Sequence, residues 1–133
     1  MTRVLIVLIA VLVLMMPAHA SPEETIVIEA TRLVPPVLNT TTGERVTFVN
    51  RSGRAAHVEF HRDGGEHYLV QVPAGGPIWA IFNRPGAHPY VVHLYSGRRT
   101  DTLVGSVEVA EDPHHKYESP ACDVNVMGVC IEP

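Results

Sequence analysis

Thr42-Gly43-Glu44-Arg45-Val46-Thr47-Phe48-Val49-Asn50 decides the architecture of this chain. A Thr-Gly-Glu turn opens the stretch. Polar and apolar residues then alternate through Arg45, Val46, Thr47 and Phe48, the two-residue period of a strand with one buried face. Downstream, Arg51-Ser52-Gly53-Arg54 turns the chain, and His57-Val58-Glu59-Phe60-His61 alternates again. That parity places His57, Glu59 and His61 on one face and Val58 and Phe60 on the other. Arg62-Asp63-Gly64-Gly65 forms a loop, Tyr68 to Val72 the next strand, and Pro73-Ala74-Gly75-Gly76-Pro77 ends it.

Ile78-Trp79-Ala80-Ile81-Phe82 is the near-continuous apolar run of a core strand. After the Asn83-Arg84-Pro85-Gly86 turn the chain extends from Ala87 to Tyr95, loops from Ser96 to Thr102, and closes with Leu103 to Val109. Upstream, Thr25 to Ala30 is rich in β-branched residues and reads as a first strand. In Leu33-Val34-Pro35-Pro36-Val37-Leu38 two prolines remove ladder donors, which makes it an edge segment. About seven strands at regular turn spacing, without helical periodicity, predict an all-β sandwich.

The N-terminus reads as an export signal over residues 1–20. Thr2-Arg3 gives a positive start, Val4 to Met16 an uncharged apolar run, and Ala18-His19-Ala20 a small-x-small cleavage pattern. The run is short of the roughly 20 residues of a spanning helix. The expected mature protein is periplasmic or secreted, with no membrane span after signal cleavage; an uncleaved anchor is the competing reading. Losing Arg3 changes 10 basic against 14 acidic residues to 9 against 14. That balance excludes the basic stripe that a nucleic-acid partner requires.

The domain organisation that follows is a β domain over residues 21–110 and a polar tail over 111–133. Cys122 and Cys130, the chain's two cysteines, lie in that tail. In an oxidising compartment their default is a disulfide. The alternative is a soft Cu(I) site in which Met127 joins both thiolates.

Three segments carry a resemblance to a known family. Thr42 to Asn50 is similar to the Gly-acidic-x-Val-Thr-aromatic-x-Asn strand of the cupredoxins, the small copper-protein sandwiches such as plastocyanin and pseudoazurin. His57-Val58-Glu59-Phe60 falls where that family's first copper-ligand histidine comes. Pro85 to Val92 with Leu103 to Val109 resembles the ligand loop and last strand. The resemblance spans Thr25 to Val109 and implies a cupredoxin-like Greek-key β-sandwich. It also implies a cysteine, a second histidine and a methionine, where this chain has Val92, Tyr95 and Leu103. A blue-copper centre depends on that sulfur, so the usual site is lost or rebuilt.

Seven histidines remain after the signal: His57, His61, His67, His88, His93, His114 and His115. That is roughly three times average usage, and imidazole is the commonest ligand for copper and zinc. The strand from His57 is expected beside the strand containing Tyr90, so that His57 and His93 converge near the former copper pole. His57 is the first metal-ligand candidate and His93 the second, with His61 and His88 in reserve. His57 is equally readable as an ordinary strand histidine, and for the others the ordinary structural reading comes first. Glu59, Glu66 and Asp63 are candidate oxygen ligands or ordinary solvent-face acids, and His67, His114 and His115 read as solvated.

Catalytic signals are poor: Gly-x-Ser-x-Gly, a glycine-rich phosphate loop and His-Glu-x-x-His all fail to occur. A non-enzyme is expected. Asn39-Thr40-Thr41 and Asn50-Arg51-Ser52 fit the glycosylation acceptor pattern. Two functions follow: an exported sandwich holding copper, or another divalent metal, through histidines for metal handling, or a metal-free binding module for an envelope partner protein.

Overall fold

The β-branched and alternating segments pair into two sheets packed face to face in a computed structural model, which describes residues 24–61, 65–114 and 122–132. The expected export signal, Asp63, His115 and the middle of the tail lie outside the described residues. The first sheet contains β1 (Glu24–Ile28), β2 (Leu33–Val34), β4 (Arg45–Asn50), β7 (Pro77–Phe82), β10 (Val124–Val126) and β11 (Val129–Glu132). The second contains β3 (Val37–Thr41), β5 (Ala55–His61), β6 (His67–Val72), β8 (Gly86–Ser96) and β9 (Arg99–Ala110). Their orders are β11-β10-β7-β4-β1-β2 and β3-β9-β8-β5-β6.

Alternation works as expected. Val46 and Phe48 from β4, Val58 and Phe60 from β5, and Tyr90, Val92 and Leu94 from β8 fill the space between the sheets. Phe48 anchors the aromatic part of this core, meeting Tyr90 edge-on at 5.2 Å and Phe60 at 6.0 Å. Such perpendicular pairs favour the quadrupoles of both rings.

The segment from Leu33 to Leu38 is an edge twice over. Its first half, β2, borders one sheet beside β1; its second half, β3, runs parallel to β9 at the border of the other. The two prolines at 35 and 36 mark the crossing. The polar loop expected from Ser96 to Thr102 is far shorter. β8 and β9 pair from Gly86↔Val109 to Ser96↔Arg99, leaving Gly97 and Arg98 at the turn. Thr100, Asp101 and Thr102 therefore belong to a strand, and Gly97 supplies the positive φ of 61° that a two-residue hairpin turn requires.

The tail also differs from expectation. β10 pairs with β7, Val124↔Phe82 to Val126↔Ala80, and β11 folds back on β10. Val124, Val126 and Ile131 are buried. The described part of the tail thus extends the first sheet and covers one end of the core instead of hanging beside it. Cys122 and Cys130 form a disulfide that closes this ribbon. Both sulfurs are consumed, so the soft Cu(I) site with Met127 is excluded; Met127 Sδ instead accepts from the Trp79 amide at 3.3 Å.

Candidate metal centre

Asn50 starts the local order that sets up the centre. Its side chain is 4% exposed. The amide nitrogen donates to the Arg54 carbonyl at 2.8 Å, while its oxygen accepts from the Ser52 amide and hydroxyl at 3.0 and 2.7 Å. The turn before β5 is thereby fixed, and with it which β5 side chains face outward. The same burial takes the Asn50 amide out of reach as a glycan acceptor.

From that turn, Ala56, Val58 and Phe60 point into the core, and His57, Glu59 and His61 point out. On β6, His67, Leu69 and Gln71 share the outer face; on β8, Val91, His93 and Tyr95 do so. Register then fixes the neighbours. His61 faces His67 and Glu59 faces Leu69 across β5–β6, while His57 faces His93 and Glu59 faces Val91 across β5–β8. Glu59 accordingly lies diagonal to a histidine on each side, within the reach of long side chains across a sheet.

Its carboxylate uses both diagonals. Oε1 meets His67 Nδ1 at 2.6 Å, and Oε2 is bonded to His93 Nε2. The hydrogen bond from His93 is the main force holding the Glu59 carboxyl below its usual 4.5. Partial burial opposes it, and the fields of His67, His93 and His61 reinforce it. The His61 and His67 rings are 5.1 Å apart. Glu59, His61 and His67 offer ligand atoms that all lie within 4.8 Å of one another. Two imidazoles and a carboxylate make a nitrogen and oxygen set for a borderline divalent cation, and Glu59 is 15% exposed at its side chain.

The sequence candidates fare differently. His57 and His93 stand opposite one another on the outer face near the β8–β9 turn. His57 packs edge-on against Tyr95 at 5.1 Å. His61 joins the metal-type group at the sheet edge. His88 does not belong with them: it has the parity of Tyr90 and Val92, so it faces the core. There it is 7% exposed, its Nε2 lies 2.8 Å from the Arg84 carbonyl, and its ring packs on Phe82 at 5.0 Å.

His67, expected to be solvated, completes the group instead. Its signal is the β5–β6 pairing, whose register sets His61 opposite His67. A thiolate copper centre does not fit these residues. Val92, at the position where the resemblance implies a cysteine, is fully buried in apolar packing, and both cysteines are spent in the disulfide.

No family model matches the chain, and no curated protein does. Solved structures do match. A reduced form of an amicyanin mutant superposes with a TM-score of 0.54 at 18% identity, covering 68% of this chain and 85% of the other. An oxidised form of another amicyanin mutant gives 0.54 at 20% identity, with 66% and 82% covered. A third, a Cu(I) form, gives 0.51 at 18% identity. At such identities the likeness speaks for the fold. Two packed sheets, their strand order and these superpositions identify the chain as a cupredoxin-like β-sandwich.

Proposed function

We propose that the protein binds copper, or another divalent metal, through histidines on the outer face of its second sheet, and serves metal handling in the cell envelope. The observation that carries this is the convergence of Glu59, His61 and His67 donor atoms within 4.8 Å. The donor set suits Cu(II), Zn(II) or Ni(II). It does not supply the thiolate that fast electron transfer at a blue-copper centre uses, so holding and passing on the ion is the better-supported role. The disulfide and the export signal expected from the sequence both favour an oxidising compartment, the periplasm or the exterior. No helix among the described residues is long and apolar enough to cross a membrane.

The test is metal retention. Purified protein is loaded with Cu(II), passed through a desalting column and assayed for bound copper, alongside His61→Ala and His67→Ala. Stoichiometric copper in the parent, lost or loosened in both variants, is the expected outcome. A parent that keeps no copper, or variants that keep as much as the parent, overturns the proposal.

A second reading has an observation of its own. A cleft of about 500 Å³ opens between β2 and β9, lined by Arg32, Leu33, Val34, Pro36, Leu103 and Val104. Val104 is 71% exposed. This apolar opening is what a binding module for an envelope partner protein presents. It lies on strands other than β5 and β6, so metal retention and partner binding are separable by mutation.

A further inference from the structure

Glu59 has a contact that the converging group does not use. Its Oε1 turns to the sheet edge, where His67 Nδ1 lies at 2.6 Å and His61 completes the set of donors. Its Oε2 turns the other way and accepts from His93 Nε2. His93 sits on β8, on the flank of β5 opposite β6, and is not one of the three residues whose donor atoms converge. His93 is itself held in place. Its ring stacks on Tyr95, with planes 30° apart and centroids 6.5 Å apart, and most of its side chain is covered from solvent.

We propose that His93 is a positioning residue of the metal centre: it holds Glu59 Oε2 so that Oε1 faces His61 and His67, and it does not itself take the ion. This role rests on the metal-binding function above. A glutamate on a sheet face rotates about several torsions, and an unanchored carboxylate is spread over many rotamers. Both carboxylate oxygens accept hydrogen bonds, so a fixed donor on Oε2 aims the group and leaves Oε1 for an ion. An ion seated among Glu59, His61 and His67 takes Oε1 over from His67, whereas the bond from His93 stays. Ligands anchored in this way by a neighbouring hydrogen bond bind metal more tightly, and removing the anchor weakens binding without removing a ligand.

Copper(II) titration of the purified protein tests this, read as affinity and as nitrogen couplings in electron paramagnetic resonance, with a metal-free thermal melt of every variant. His93→Phe keeps a ring against Tyr95 and His93→Leu keeps bulk. Both lack the donor, so either folded variant decides the outcome. Each is expected to lose about 10–100-fold in affinity while keeping the nitrogen couplings of the parent. His93→Gln, whose side-chain amide donates in place of Nε2, should return close to the parent in both readings. In a Glu59→Ala background, His93→Phe should cause no further loss, because residues that act through one another are not additive. Copper bound as tightly by His93→Phe and His93→Leu as by the parent overturns the proposal and leaves the metal-binding function standing. So does a nitrogen coupling missing from His93→Gln, which makes His93 a ligand, or an added loss in Glu59→Ala/His93→Phe. A parent that holds no copper overturns the function and this role with it.

Discussion

The Tyr90 hydroxyl presses on the backbone of Gly105, its cross-strand partner: a β-carbon at residue 105 would lie 2.3 Å from that oxygen. It would also lie 2.4 Å from Tyr90 Cζ and 2.9 Å from Leu33 Cδ1. Glycine is required here for space. Gly105→Ala must push the largest core ring aside, which costs about 1–3 kcal/mol as overpacking does elsewhere. Denaturant midpoints measure it; a variant as stable as the parent contradicts the packing described.

The same hydroxyl is buried without a hydrogen-bond partner, and burial pushes its pKa far above the usual value of 10.0. Removing an unpaired buried hydroxyl relieves a desolvation cost of about 1–3 kcal/mol. Tyr90→Phe is therefore expected to match or exceed the parent in urea unfolding. A clear loss of stability in that variant would show that the oxygen has a partner after all.

His88 and His67 separate structure from metal binding. His88→Ala removes a core ring and its contact with the Arg84 carbonyl. It should lower stability by about 2–4 kcal/mol while leaving copper retention intact. His67→Ala, at a half-exposed position, should do the reverse. Paired melting curves and metal assays give the comparison, and copper loss in His88→Ala alone would move the centre to the other face.

Acid should reveal the Arg54–Asp101 ion pair. Arg54 Nη1 donates to Asp101 at 2.7 Å, and Arg54 Nη2 donates to the Leu94 carbonyl at 3.1 Å. The Arg54 hydrogen bond is the main reason that the Asp101 carboxyl titrates below its ordinary 3.8, with Arg99 adding to it. A carboxyl whose pKa falls on folding stabilises above its unfolded value, and that contribution is lost as pH drops through the lower, folded value. The parent should thus exceed Asp101→Asn in stability at neutral pH, with the gap closing as pH falls below 3.8. A gap independent of pH in this range would assign the effect to shape instead of charge.

Opening the disulfide should loosen the ribbon first. The bridged residues are eight apart, and the chain-entropy model assigns so short a loop about 2.5 kcal/mol. Cys122→Ser/Cys130→Ser should fall in stability by about that amount, with amides of β10 and β11 exchanging hydrogen well before those of β4. Unchanged exchange in the ribbon would show that pairing with β7 suffices.

Much of the fold is legible along the chain because its physics is local. Alternation in Arg45–Phe48 and His57–His61 reports which side chains face the core, and the structure keeps both parities. The same parity puts His57, Glu59 and His61 together outside. What escapes is pairing between distant segments. Val124–Val126 is three residues long and gains its strand character from β7, some forty residues earlier. Glu59 meeting His93 depends on β5–β8 register, and His88 differs from His93 by odd against even position alone. The polar residues at 100–102 resemble a loop because their strand is half-exposed, not because the chain turns there.

The ribbon of β10 and β11 has a further consequence. β7 has β4 on one flank and β10 on the other, so a chain ending after residue 110 would bare the backbone donors and acceptors of Ile78-Trp79-Ala80-Ile81-Phe82. Such an apolar border is a template on which a strand from another molecule can grow. The β10–β11 ribbon keeps this border of β7 paired, and a protein truncated after residue 110 is expected to precipitate where the whole one stays dispersed.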